Sequence, residues 1–254
     1  LDGLDADWSK GNGQKPMSTG AIGGLPVGMK FDPAQADRLR EYYKAVSAEV
    51  KRILKPGGFF LSFSQPRLSF AMAQAVHETG FEVRDIYTWH YTRKAQAKAF
   101  SQDHFIDRMD IPEKEKATLK ASMAGRKTPQ LRPQSELIVM AQKPREGTFV
   151  ENWGKYETGL VDMRETLNGT SPSTVMSVEK PVKEKYNGHL TVKPIMLIEH
   201  LMRVFSSEKQ TVLDPFLGSG TTALAAKRLN RACIGIEINP DYVGIANRRV
   251  KGEL

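Results

Sequence analysis

The sequence predicts an α/β protein with a doubly wound, Rossmann-like sheet, and three observations support this fold class. Apolar segments of strand length alternate with segments whose apolar residues repeat at helical spacing. A glycine turn, Gly218-Ser219-Gly220, separates a strand from a helix late in the chain. The 254 residues are enough for one such domain with an insertion.

The first elements alternate between helix and strand. A helix begins where Asp32 is a good N-cap and Pro33 suits the first helical position, and Pro56-Gly57-Gly58 ends it. The next predicted elements are a buried strand at 59–64 (FFLSFS), a helix at 66–80 and an alternating strand at 81–91.

The pattern changes after residue 91. Between residues 92 and 133, ten Lys and Arg stand against five Asp and Glu, a net charge of +5. The stretch IPEKEKATLKASM predicts a short helix with charged faces. A buried strand at 136–144, an irregular stretch at 145–190 and an amphipathic helix at 193–205 follow.

Residues 214–239 carry the strongest functional signal. TVLD is a strand, the glycine turn lets a ligand approach the backbone, and the free amides of the helix TTALAAKRLN face that ligand. ACIGIE is the adjacent parallel strand and ends in Glu237, where a carboxylate can accept hydrogen bonds from two ribose hydroxyls. A tight strand–helix turn beside an incidental surface glutamate is the alternative that the residues leave open.

Composition and short motifs exclude several classes of protein. The +8 charge favours a polyanionic partner, and the single cysteine, Cys233, excludes an intrachain disulfide and fits a reducing compartment. We expect no metal site, because no Cys and His cluster has ligand spacing, and no membrane span or signal peptide. The phosphate loop G-x-x-x-x-G-K-[ST] is absent, which argues against ATP hydrolysis, whereas G-S-G-T-T-A keeps a nicotinamide dehydrogenase as a distant alternative.

The stretch LDPFLGSGTTALAAKRLNRACIGIEINPDYVGIANRRV resembles the S-adenosyl-L-methionine motif of amino-group DNA methyltransferases, which modify N6 of adenine or N4 of cytosine. In that family D-P-F-x-G-S-G-T-T is a specific signature. The preceding HLTVKPIMLIEHLMRVFSS is similar to the family's H-x-T-x-K-P helix. The resemblance covers residues 189–250 and implies a methyltransferase that uses S-adenosyl-L-methionine.

The resemblance implies a role for each matching residue. Asp214 would meet the methionine amino group of the cofactor, and Glu237 would bind its ribose hydroxyls. The other implied cofactor-binding residues are Phe216, Gly218 and Gly220 as the floor, Thr221 and Thr222 at the carboxylate end, Asn239 close by, and His189, Thr191 and Lys193 on the methionine side. A core phenylalanine at 216, a structural imidazole at 189 and a solvated lysine at 193 are the alternatives.

The order of the segments is similar to the family's circularly permuted β arrangement, in which the catalytic half comes first and the cofactor half last. It implies a catalytic half at 1–91, a basic target-recognition insertion at 92–134, a returning core strand at 135–144, an irregular connection at 145–188 and a cofactor-binding half at 189–254.

The family's catalytic loop, [DNS]-P-P-[YFW], has no counterpart in the sequence. DPF at 214–216 belongs to the cofactor motif, and DPA at 32–34 caps a helix. We expect the loop and its strand upstream of Leu1, since without that strand TVLD and FFLSFS would face each other across a gap one strand wide.

The basic segment occupies the place of the family's target-recognition region, which implies contact with double-stranded DNA, although such a charged run is often only a solvated face. The candidate DNA-binding residues flank its acids: Arg93, Lys94, Lys98, Arg126, Lys127 and Arg132. Residues 11–29 either close over a flipped base or the cofactor, or are a loop without a role.

The combined expectation is a cytoplasmic DNA methyltransferase, encoded by a bacterium, an archaeon or a phage and typical of restriction–modification. The methyl group would pass directly to an exocyclic amine, because Cys233 lies in a strand and is a poor nucleophile. An inactive DNA- and cofactor-binding subunit and an RNA methyltransferase of the same fold are the alternatives. The target base, the recognition sequence, a paired restriction enzyme and a homodimer stay open.

Overall fold

The computed structural model describes residues 34–93, 99–129, 131–182, 189 and 191–254. The predictions for Asp32, Pro33, Lys94, Lys98 and residues 11–29 lie outside them. The helices of the described residues are α1 (Ala34–Ile53), α2 (Ser69–Glu78), α3 (Asp103–Asp107), α4 (Glu113–Ser122), α5 (Phe149–Tyr156), α6 (Ile195–Phe205), α7 (Thr221–Arg228) and α8 (Pro240–Lys251). The strands are β1 (Phe59–Ser64), β2 (Glu82–His90), β3 (Ser135–Gln142), β4 (Val175–Ser177), β5 (Thr211–Asp214) and β6 (Ala232–Gly235).

Four strands form a mixed sheet in the order β1-β3-β2-β4. β1 and β3 are antiparallel, with Phe59 opposite Gln142, whereas β2 and β4 are parallel. The chain leaves β2 and enters β3 at the same end of the sheet, where Tyr91 N donates to Gln134 O at 2.9 Å. β3 therefore runs back against β1, and the sheet is not the uniformly parallel sheet of a simple doubly wound fold.

The remaining two strands, β5 and β6, form a second, parallel sheet, as the sequence predicts. Helix α6 covers one face of both sheets, since its Ile198 and Met202 pack with Phe63 of β1 and Val212 of β5. Burial of these apolar side chains holds the two sheets to one helix, although β1 and β5 do not pair with each other.

Helix α1 covers the opposite face of β1. The Tyr43 ring stacks on Phe60 at 6.2 Å, and its hydroxyl donates to Ser62 Oγ at 2.8 Å. The ring of Tyr42, the preceding residue of α1, lies 6.4 Å from the ring of Phe216, which follows β5 in the chain. Both sheets therefore lie between the same two helices, in the layered arrangement of an α/β protein.

The prediction that residues 145–188 are irregular is wrong in two places, at α5 and at β4. Thr148 Oγ1 accepts from Glu151 N at 3.2 Å, and Thr148 N donates to Glu151 Oε2 at 2.7 Å, which is a capping box that begins α5. Behind it the buried Asn152 donates to Pro56 O at 3.2 Å and to Thr158 O at 2.9 Å. The sequence signal that predicts the start of this helix is Thr-x-x-Glu at residues 148–151.

Residues Tyr91–Ser135 form a compact unit of their own, which contains α3 and α4. Phe100 and Thr128 exchange two hydrogen bonds, of 2.9 and 3.0 Å, and Ile106 is buried. In the part of the chain that the structure describes, no helix is long and apolar enough to cross a membrane.

Candidate functional site

The turn between β5 and α7, residues 215–220, is called the glycine loop below. Leu217 N donates to Ile236 O at 2.8 Å, which ties the loop to the end of β6. Gly218 and Gly220 have φ values of 55° and 84°, which side-chain-bearing residues rarely adopt. A Cβ atom at Gly218 would lie 2.7 Å from His189 Nε2, and one at Gly220 would lie 2.8 Å from the Cα of Ala246. Only glycine fits both positions.

Asp214 ends β5 and is held by the loop that follows it. Its Oδ1 accepts from Phe216 N at 2.9 Å, and its Oδ2 accepts from Thr222 Oγ1 at 2.6 Å. Each carboxylate oxygen keeps a free lone pair after these bonds. The aspartate is therefore oriented by the protein and still able to accept a hydrogen bond from a bound cation.

Glu237 follows β6 and connects two turns of the backbone. Its Oε2 accepts from Gly218 N at 2.8 Å, and its Oε1 accepts from Asn239 N at 2.8 Å. The buried Asn239 accepts in turn from Asp241 N at 2.9 Å and caps α8. Glu237 thus braces the glycine loop, and each of its oxygens can accept one more hydrogen bond, as vicinal hydroxyls require.

The half-buried imidazole of His189 packs against the same loop. Its Nδ1 accepts from Thr191 N at 3.3 Å, and its ring meets Tyr242 edge-on at 4.7 Å. Burial lowers the pKa of His189, and the nearby carboxylate of Glu237 offsets part of that shift. The side chain is consequently a neutral wall of the site at neutral pH, with its proton on Nε2.

Lys193 lies away from both carboxylates of the loop. Its Nζ is 3.0 Å from Glu136 Oε2 and within 5.2 Å of the centre of the Phe63 ring. Lys193 therefore contacts residues of β3 and β1, which argues against the alternative of a solvated lysine at this position.

The side chains of the first two residues of α7 point to different partners. Thr222 reaches Asp214, whereas Thr221 is buried and its Oγ1 lies 3.3 Å from Arg249 Nη1. Phe216 is 49% exposed, which argues against the core alternative for this residue.

One face of α8 supports the loop from behind, and the sequence motifs do not predict it. Tyr242 contacts His189, Ala246 fills the space beneath Gly220, and Arg249 Nη1 donates to Ser219 O at 2.7 Å. Among the described residues, the buried Arg249 makes no ion pair. The spacing of four and three residues that places these side chains on one helical face is the signal that could have found them.

The thiol of Cys233 is a poor nucleophile. Burial, together with the nearby Asp214 charge, raises the pKa of its thiol to about 11, so the thiolate is scarce at neutral pH. Within the described ranges, no group of three His, Cys, Asp or Glu is placed to hold a metal ion.

The compact unit Tyr91–Ser135 contains all six candidate DNA-binding residues, of which the structure describes four. Arg93, Arg126, Lys127 and Arg132 are all exposed. Arg126, Lys127 and Arg132 make no ion pair with any described residue, whereas Lys120 of α4 pairs with Asp107. Arg126, Lys127 and Arg132 are therefore available to phosphates, whereas α4 neutralises part of its own charge through the Lys116–Glu113 pair.

The groups at the glycine loop fit the cofactor that the resemblance implies. An oriented carboxylate at Asp214 suits a charged amino group, and the two half-satisfied oxygens of Glu237 suit a ribose. Because Gly218 and Gly220 carry no Cβ, the loop backbone can pack closely against His189 and Ala246.

Comparisons with known proteins show the family of the chain. The sequence profile of the N6/N4 methyltransferase family, described as DNA methylase, matches residues 30–248. The chain is 30% identical over 227 residues to the type II methyltransferase M.HindIII of Haemophilus influenzae, covering 86% of this chain and 71% of that protein. It is 25% identical over 238 residues to M.HpaI of Haemophilus parainfluenzae, covering 91% of this chain and 65% of that protein.

Solved structures agree on the fold. The M1.HpyAVI–SAM complex matches with a TM-score of 0.57 and 22% identity, over 86% of this chain and 85% of that one. The cytosine-N4-specific PvuII DNA methyltransferase matches with a TM-score of 0.62 and 16% identity, over 87% and 73% of the two chains. These likenesses establish an α/β fold of the kind found in DNA methyltransferases.

Proposed function

Because this chain belongs to the family of DNA methylases that modify N6 of adenine or N4 of cytosine, we propose that it methylates one of these amines at a specific site in duplex DNA. By family it is an S-adenosyl-L-methionine-dependent DNA amino-methyltransferase, of the type found in restriction–modification systems. It spans 71% of M.HindIII and 65% of M.HpaI, so the activity of the whole protein is part of the proposal.

The observation that carries the proposal is the pair of oriented carboxylates on the two sides of the glycine loop. We assign Asp214 to the amino group of the cofactor and Glu237 to its ribose hydroxyls. The other candidate cofactor-binding residues are proposed with the roles that the resemblance implies: Phe216, Gly218, Gly220, Thr221, Thr222, Asn239, His189 and Thr191. Lys193, which the resemblance also places on the methionine side, is paired with Glu136. When bound, S-adenosyl-L-methionine supplies a methyl group on a positively charged sulfur.

The target base must leave the duplex to reach that methyl group, because its exocyclic amine lies inside the base stack. The residues of this chain would hold the cofactor in a fixed orientation. The methyl group would pass to the base without a covalent enzyme intermediate, because the thiol of Cys233 is protonated and is not a nucleophile. A loop of the form [DNS]-P-P-[YFW] would accept hydrogen bonds from the amine and stack on the base.

We propose that this loop is carried by a strand between β1 and β5. In the described residues β1 pairs only with β3, and β5 pairs only with β6, although α1 and α6 cover both sheets. Ile234 of β6 and Ile236 just after it are 57% and 55% exposed, as expected of a sheet that further structure covers. A gene that encodes no such loop upstream of Leu1 would contradict this placement.

The compact unit Tyr91–Ser135 is proposed as the target-recognition insertion of a permuted domain. Arg93, Lys94, Lys98, Arg126, Lys127 and Arg132 would contact phosphates of double-stranded DNA. The enzyme would act in the bacterial cytoplasm, where its substrate lies. A homodimer is a further hypothesis, which sedimentation of the purified protein with and without DNA tests directly.

Transfer of a labelled methyl group by the full-length protein tests the function. Duplex DNA of mixed sequence and a structured RNA of equal length are incubated with labelled S-adenosyl-L-methionine, and the digested nucleosides are separated. We expect label in N6-methyladenine or N4-methylcytosine from DNA alone. Cofactor and DNA binding without labelled base would instead indicate an inactive subunit, and label in RNA alone would indicate an RNA methyltransferase.

A further inference from the structure

The segment 189–193 contacts both sheets of the domain. At one end the His189 ring packs against Gly218 of the glycine loop, which follows β5. At the other end Lys193 Nζ lies 3.0 Å from Glu136 Oε2, at the start of β3 in the four-stranded sheet. Because β1 and β5 do not pair, these side-chain contacts add to the packing of α6 in connecting the cofactor sheet with the four-stranded sheet.

The Lys193 ammonium is surrounded by groups that favour a cation at this position. It lies 5.2 Å from the centre of the Phe63 ring and 5.8 Å from that of Trp89, and it is 3.4 Å from Thr191 O. The side chains of Lys193 and Glu136 are only 22% and 24% exposed. An ion pair shielded in this way, with aromatic faces beside the cation, is stronger than a freely solvated pair.

A short series of contacts connects this ion pair to the cofactor site. Lys193 Nζ holds Thr191 O, and Thr191 N donates to His189 Nδ1 at 3.3 Å. That bond leaves the imidazole proton on Nε2, the atom that lies closest to the space above Gly218. Gly218 N then donates to Glu237 Oε2 at 2.8 Å.

We propose that the Glu136–Lys193 ion pair is a positioning pair, which holds the 189–193 segment as a wall of the cofactor site. Lys193 acts through Thr191 and His189 and does not itself bind the cofactor, and Glu136 belongs to the site although no motif marks it. The inference rests on the proposed function, because it gives that function's cofactor site a support in the four-stranded sheet.

The two other roles for Lys193 predict different results. If Lys193 bound the cofactor directly, Glu136 would be dispensable for cofactor binding. If the ion pair served stability alone, its loss would lower the melting temperature and leave the affinity of the folded protein unchanged. Only a positioning pair makes the affinity depend on both partners and on their opposite charges.

The experiment measures binding of S-adenosylhomocysteine to the full-length protein by calorimetry, with melting temperatures recorded in parallel. We expect Glu136→Gln and Lys193→Met each to weaken binding about tenfold, Lys193→Arg to stay near the native affinity, and the exchange Glu136→Lys with Lys193→Glu to recover part of the loss. Lys155→Met is the matched control, because it breaks the exposed Lys155–Glu146 ion pair of 2.7 Å elsewhere in the same unit. It should change nothing.

Native affinity in Glu136→Gln would overturn the inference, whether or not Lys193→Met is impaired. Equal weakening without recovery by the arginine or the charge exchange would also overturn it. Failure of the native protein to bind S-adenosylhomocysteine would instead overturn the proposed function. Glu136→Gln keeps the size of its side chain, so it remains measurable if Lys193→Met does not fold.

Discussion

The cofactor-binding half (residues 189–254) and the basic unit (Tyr91–Ser135) hold their charged side chains in opposite ways. In the cofactor half, Asp214 and Glu237 each accept two hydrogen bonds from the protein, and three of these four come from backbone amides. In the basic unit, the cations of Arg126, Lys127 and Arg132 are exposed and make no ion pair with any described residue.

The difference follows from the ligands that the two regions are proposed to bind. A cofactor has the same shape in every reaction cycle, so groups fixed before binding lose little entropy when it arrives. A DNA backbone is a line of charges whose contacts tolerate mobile side chains and depend on salt. Fixed polar groups thus mark the first kind of site, and unpaired exposed cations mark the second.

The largest effect is expected for Gly220→Ala, which tests how firmly the glycine loop is held. The φ of 84° is unfavourable for alanine, and the new Cβ would lie 2.6 Å from the Cβ of Ala246. We expect a loss of about 3 kcal/mol in the free energy of unfolding, measured with urea.

Gly244→Ala is the control, since it lies in α8 with nothing within 4 Å of an added Cβ. It should raise stability by about 0.5–1 kcal/mol because alanine is the better helix former. Equal stability of Gly220→Ala and the native protein would mean that α8 does not press on the loop.

Glu237→Gln tests the carboxylate that both braces the loop and, as proposed, holds the ribose. Glutamine has one acceptor oxygen, so it loses one backbone bond and one acceptor for a hydroxyl. We expect the dissociation constant for S-adenosylhomocysteine to rise about 100-fold, as for loss of charge-assisted hydrogen bonds. Glu253→Gln, at an exposed position beside Lys251, should bind normally. Unchanged binding in Glu237→Gln would leave this residue a purely structural role.

The basic unit is tested by the triple substitution Arg126→Gln, Lys127→Gln and Arg132→Gln. We expect DNA binding to weaken about tenfold or more in 0.1 M salt, and the dependence of log affinity on log salt to fall by roughly 0.9 per lost phosphate contact. Cofactor affinity should not change. Lys120→Gln is the control, because its ammonium is already paired with Asp107. A triple variant with native DNA affinity would remove these residues from the DNA contact.

The comparison also shows what the sequence could predict. Strands β1 and β5 match their predicted residues, because an apolar run bounded by turn residues has few alternative structures. The glycine loop was predictable for a similar reason, since Gly218 and Gly220 have backbone angles that few other residues adopt.

Long-range contacts were less visible in the sequence. The antiparallel direction of β3 depends on where the chain re-enters the sheet after residue 134, which local patterns do not record. The pairing of Lys193 with Glu136 joins residues that are far apart in the chain, so spacing alone does not predict it. Arg249 lies among other basic residues in the last turn of α8, and nothing in the local sequence shows that it is buried against the glycine loop.

The smallest expected effect is a loss of stability at acidic pH, and it should arise from a histidine in the cofactor half. Burial lowers the pKa of His200 in α6, more than the nearby Glu165 raises it, so the folded protein favours the neutral imidazole. The stability that the neutral His200 contributes is therefore complete above the unfolded pKa of about 6.5, and it is lost as the pH falls through the lower pKa of the folded state.

We expect the melting temperature of the native protein to decline below pH 6.5, and the melting temperature of His200→Leu to decline less steeply. His189, whose pKa burial also lowers, should contribute to the slope that remains in His200→Leu, and paired carboxylates such as Glu146 should add to it at lower pH. His77→Gln, at an exposed position on α2, should follow the native curve, and a His200→Leu curve parallel to the native one would place the acid sensitivity elsewhere.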